Sequence, residues 1–171
     1  MRTTNRIRYL LLLSLFSLSA PAGNLVGLSA GQGSAQTDGV RLYIATPFPP
    51  NWLWEQLPLP ALSLEWNAGI WWQDHDQLLS AGITPIASWE HPLTAQWQGY
   101  LELGLGLDYI SQQQLGSLEL GSQLLFGGLL GVGIRSADWS WGLRSYHYSN
   151  AALDGENNSM NMLMLEVARR W

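Results

Sequence analysis

Eight segments of this chain alternate apolar residues with polar or small ones at a period of two, and that pattern constrains the fold more than any other feature. Successive side chains on a strand point to opposite faces, so each segment reads as a strand with one apolar face. The fifth shows it most cleanly. Trp97, Leu101, Leu103, Leu105, Leu107 and Tyr109 share one face, while Gln98, Glu102, Gly104, Gly106 and Asp108 share the other. Aromatics at both ends of the apolar face fit the two interfacial girdles of a membrane strand. Charge is scarce, at 12% of residues, against about 25% in typical soluble domains. Beyond the N-terminus no apolar run is long enough to cross a bilayer as a helix. The fold expected is all-β, an eight-stranded antiparallel transmembrane β-barrel of the outer-membrane type, multi-pass in the bacterial outer membrane.

The N-terminus reads as an export signal. Arg2, Arg6 and Arg8 form a positive region, Tyr9 to Leu18 an apolar core, and Ala20-Pro21-Ala22 a small-x-small cleavage site. Residues 1–22 are therefore assigned to a cleaved secretory signal and 23–171 to the barrel. Removing three arginines moves the formal charge from −5 to −8, which leaves no basic patch for nucleic acid. There is no cysteine, hence no disulfide framework and no thiolate metal site.

The remaining segments follow in order. The first, about 24–33, sets Val26, Leu28 and Ala30 against Gly27, Ser29 and Gly31; the second sets Val40, Leu42 and Ile44 against Arg41 and Tyr43. Pro47, Pro49 and Pro50 end it, and Trp52 and Trp54 follow at an expected interface. The third, about 60–73, and the fourth, about 78–90, carry Trp66, Ile70, Leu79 and Ile83 outward, and Pro85 implies a break or bulge in the fourth. The sixth is read as one strand from Leu118 to Val132. The seventh runs from Trp139 to about Asn150, and the eighth ends at Trp171. Asp74-His75-Asp76 is a polar turn, since three consecutive residues cannot all face one ion. Gly104-x-Gly106 has no helix pattern after it, so it reads as small inward residues and not a nucleotide loop.

An eight-stranded barrel is filled by side chains and leaves no transport path. Arg41, Glu65, Glu102, Asp108, Glu119, Arg135, Arg144 and Glu166 all fall on inward faces. Buried charges must be paired, so these residues are expected to form a hydrogen-bonded plug.

One polar pair breaks the outward pattern. His147 and Ser149 share the parity of Trp141 and Leu143, so they lie on the lipid-facing wall. Their Cα atoms would be roughly 6.6 Å apart at strand rise, within reach of an imidazole acting as base to a hydroxyl. With both termini inside, the seventh strand rises and ends near Ser149, which puts the pair at outer-leaflet height. A histidine at that depth is costly unless it is used.

The block His147-Tyr148-Ser149-Asn150-Ala151-Ala152-Leu153, followed by Asn157 and a closing apolar strand, resembles the lipid A 3-O-deacylases, the PagL-type outer-membrane hydrolases. Weaker likeness extends over Val40 to Pro47, Leu64 to Gly69 and Tyr100 to Gly106. The resemblance implies an enzyme that removes the ester-linked 3-hydroxyacyl chain at position 3 of lipid A (lipopolysaccharide), among outer-membrane lipids and with no metal or organic cofactor. It implies Ser149 as nucleophile, His147 as general base, and Asn150 with the backbone near Ala152 at the oxyanion. The best-known members carry Gly at the position of Ala152. An ungapped count places their acidic residue on Asn161, which makes Asn161 the third member and Glu156 the runner-up. A homodimer is left open. So are two other readings, a non-catalytic structural or adhesin-type small barrel and an esterase acting on other outer-leaflet lipids.

Overall fold

The period-two pattern becomes a closed wall with an inside and an outside. The computed structural model describes residues 23–47, 60–151 and 159–171. The proposed signal segment, Trp52, Trp54, Ala152 and Glu156 lie outside them. The strands are β1 (Leu25–Gly33), β2 (Asp38–Pro47), β3 (Ala61–Gln73), β4 (Asp76–Pro92), β5 (Gln98–Ile110), β6 (Gln114–Leu115), β7 (Leu118–Glu119), β8 (Leu124–Arg135), β9 (Trp139–Ser149) and β10 (Met160–Arg170). Eight of them close in the order β1-β10-β9-β8-β5-β4-β3-β2, while β6 and β7 form a separate hairpin. Every neighbouring pair in the barrel is antiparallel. Closure removes the sheet edge, which is what permits a strand fold inside hydrocarbon. The start of β1 and the end of β10 meet, with the Trp171 N–H donating to the Asn24 carbonyl at 2.9 Å and the Gly23 N–H to the Trp171 carbonyl. Gly23 and Trp171 thus mark one end of the barrel; the β6–β7 hairpin and the end of β9 mark the far end.

Outward positions are apolar and bare, as at Leu105 (80% exposed) and Leu165 (72%). In water such a surface would be a severe liability; in lipid it is the solvated face. Inward positions hold the charges. Arg144 donates to Glu65 at 2.7 Å and to Glu102 at 2.8 Å, and it also pairs with Glu166. Arg41 donates to Glu65 at 2.5 Å, and Arg135 reaches Glu102 at 2.9 Å and pairs with Glu90. Each guanidinium is shared among acceptors from different strands, so the plug ties the wall together across the lumen. Glycines open room for its rings: a Cβ at Gly39 would come within 2.2 Å of Trp71, and one at Gly142 within 2.0 Å of the Tyr100 hydroxyl.

The structure corrects the sequence reading of the sixth segment and of Glu119, and decides between the two readings of Pro85. The sixth segment is not one strand from Leu118, because β8 begins only at Leu124. Gly116 and Gly121, at φ +56° and +73°, turn the chain into the short β6–β7 hairpin. Leu118 and Leu120, placed outward by parity, are instead buried with Leu115, Trp71, Leu78 and Met160 in an apolar cap at the far end. Glu119 consequently belongs to that hairpin and is exposed, so it is no part of the plug. Pro85 interrupts pairing between β4 and β5 at two positions, but Ile83↔Leu107 and Ile86↔Gly104 keep one register. It is a break without a bulge, since the missing proline N–H costs ladder bonds but no residue is inserted.

Candidate active site

Strand β9 is clamped from inside and presents polar groups outside. Its inward Tyr146 and Tyr148 stack at 6.0 Å with planes 6° apart. Tyr146 accepts hydrogen bonds from Arg41 at 3.0 Å and Arg144 at 3.3 Å, and Trp71 packs edge-on against Tyr148 at 5.7 Å. Those contacts hold the backbone that carries His147 and Ser149 on the opposite face. Strand rigidity is what lets a site stand on a wall with little protein beyond it.

The β9–β10 register pairs His147 with Asn161. Directly opposite residues on one face bring their side chains together, and here His147 Nδ1 lies 2.7 Å from Asn161 Oδ1. An amide oxygen only accepts, so the contact requires the proton on Nδ1, and in the neutral ring that leaves the lone pair on Nε2. Nε2 is thereby in the form that can take a proton from a hydroxyl. Ser149 stands two residues further along the same face, half-buried at the end of β9. Among the described residues no hydrogen bond joins the His147 ring to the Ser149 hydroxyl, an arrangement common before substrate tightens a catalytic contact.

Of the other residues singled out in the sequence, Asn150, the residue after β9, is buried. Ala151 follows it at φ +53°, the left-handed turn that takes the chain off the strand. Ala152 and Glu156 fall outside the described residues.

Two further residues belong to the surroundings and were not singled out by sequence. Gly128 on β8 sits directly opposite His147, and a Cβ there would meet nothing closer than 3.9 Å. It borders an apolar groove of about 800 Å³ on the outer wall, lined by Pro85, Leu103, Leu105, Leu130, Gly128 and His147 among others. The second is Ser34, in the turn between β1 and β2, whose hydroxyl accepts the Asn161 backbone N–H at 3.1 Å. Neither contact has a local sequence signal: Gly128 is one glycine among eighteen, and Ser34 lies 127 residues from its partner.

Fold and site together define a small membrane β-barrel of the outer-membrane type, with a polar constellation on its apolar outer wall. The model of the family described as lipid A 3-O-deacylase (PagL) matches residues 38–170, and the chain belongs to that family. It is 26% identical over 159 residues to the lipid A deacylase PagL of Pseudomonas aeruginosa, covering 90% of this chain and 91% of that one. It is 28% identical over 112 residues to the lipid A deacylase PagL of Bordetella bronchiseptica, covering 61% and 59%. The crystal structure of the outer membrane enzyme PagL superposes with a TM-score of 0.71 at 26% identity, covering 84% of this chain and 97% of that one.

Proposed function

We propose that this protein is an outer-membrane lipid A 3-O-deacylase, crossing the membrane with eight strands and acting on its outer leaflet. Family membership supports the substrate class. The single observation that carries the chemistry is the His147–Asn161 contact of 2.7 Å beside Ser149, on the wall where a lipid ester would lie.

Ser149 is the nucleophile in this reading. His147 Nε2 takes its proton as Oγ attacks the ester carbonyl at position 3, and Asn161 keeps the imidazole oriented and its Nδ1 protonated. The tetrahedral oxyanion is met by backbone N–H groups around Asn150 to Ala152; one such donor contributes roughly 3–4 kcal/mol elsewhere. Collapse breaks the bond to the sugar oxygen, which leaves with the proton from His147. Water, deprotonated by the same nitrogen, then releases the 3-hydroxy fatty acid. The groove beside His147 seats the acyl chain, because its lining is almost wholly apolar and it opens next to the base.

Mass spectrometry of lipid A from cells making the protein tests this. The expected result is loss of one hydroxyacyl chain, absent with Ser149→Ala. Unchanged lipid A with a folded, inserted barrel would leave a structural barrel as the reading. Ester release from other outer-leaflet lipids with lipid A intact would move the substrate class.

A further inference from the structure

We infer that Ser34 is a positioning residue for the catalytic pair, holding Asn161 in place from the neighbouring strand turn. The inference rests on the reading of His147 and Asn161 given above.

Asn161 is the second residue of β10 and has a ladder partner on one side only. On the β9 side it pairs with His147, but on the other side β1 pairs no further than Gly33, which faces Met162. The Asn161 N–H on that side would lack a ladder partner. Ser34, the first residue past β1, supplies its hydroxyl oxygen as the acceptor at 3.1 Å. A side chain thus continues the sheet by one bond at the residue whose amide orients the histidine. Loss of that bond frees the start of β10 to fray, and the Asn161 side chain moves with its backbone.

The turn carrying Ser34 is itself pinned. The Thr37 N–H donates to the Ser34 carbonyl at 3.1 Å, and the Gly33 N–H to the Thr37 carbonyl at 2.8 Å. Ala35 and Gln36 are both left-handed, at φ +54° and +59°, a conformation that surrounding contacts must enforce in non-glycine residues. Gln73, buried at the end of β3, provides one such contact through its amide, donating to the Ala35 carbonyl at 2.6 Å and to the Ser117 hydroxyl at 2.9 Å. The same amide accepts from the Ser117 N–H at 2.9 Å. A continuous path of hydrogen bonds and short backbone steps therefore runs from the β6–β7 hairpin through Gln73 and Ser34 to Asn161 and His147. None of these upstream groups touches the reacting atoms.

Steady-state kinetics on detergent-solubilised, full-length barrel decides the matter, with insertion and folding of each variant checked by heat-dependent gel mobility. Ser34→Ala is expected to lower kcat about fivefold, the scale of one backbone hydrogen bond, with KM within about twofold. Ser34→Thr, which keeps the hydroxyl, is expected to restore it. The deciding step is a double-mutant cycle: in the Asn161→Ala background, Ser34→Ala is expected to change kcat no further. An equal fall in both backgrounds, or a rise in KM alone, would overturn the inference. Should Ser34→Ala fail to fold, Gln73→Leu enters the same cycle with the same criterion. Absence of activity in the wild type would refute the functional reading instead, and so is distinguishable.

Discussion

The inside and the outside of this barrel use the same polar chemistry to opposite ends. Inside, Arg41, Arg135 and Arg144 meet Glu65, Glu90, Glu102 and Glu166 in pairs that span the lumen. Those charges are spent on one another. Outside, His147 and Asn161 sit exposed on an apolar wall, joined to each other and bordering a groove. A buried charge network secures a closed wall; a polar pair facing hydrocarbon is costly unless it works on something there. Polarity therefore has to be weighed with the face that carries it.

The sharpest way to break that contrast is to cut the plug. Arg144→Met leaves Glu65, Glu102 and Glu166 without a shared partner, and such a loss costs on the order of 3–5 kcal/mol. Urea titration of the barrel should show that destabilisation, while the fraction still folded keeps kcat within about twofold of wild type, because Arg41 still donates to Tyr146 behind β9. A drop in kcat without a stability change would make the interior part of the chemistry.

A smaller effect is expected on the outer wall. Asn161→Ala removes a hydrogen bond to an imidazole that becomes charged, worth about 1.5–3 kcal/mol, so kcat should fall roughly 10- to 100-fold. Asn161→Asp should raise kcat above wild type by supporting the imidazolium. Neither change should move the urea midpoint as Arg144→Met does.

The mildest test fills the groove. Gly128→Leu places a side chain opposite His147 where the wall is open. The expected outcome is a fall of about tenfold in kcat/KM for long acyl chains, less for short ones, with no loss of stability because glycine is a poor strand residue. Uniform kinetics across chain lengths would remove the groove from substrate binding.

Much of this molecule was legible from one dimension, for a local reason. Strand parity is set residue by residue, so the inward charges and the outward His147 and Ser149 could be placed without any contact. Parity misled where the strand stopped: Leu118 and Leu120 alternate correctly, yet Gly116 and Gly121 fold them back over the far end. Glu119 left the plug for the same reason. Periodicity cannot register a change of element when the residues on both sides alternate alike.

By itself, then, the sequence determined a barrel, which residues face lipid, and that a histidine and a serine share that face. Tertiary structure decided what stands beside them. That Asn161 lands opposite His147, at 2.7 Å, depends on the β9–β10 register. That Gly128 opens the other flank, and that Ser34 bonds Asn161 from the start of the chain, depends on how the barrel closes. Closure joins strands far apart in the chain, and no period of two carries that information.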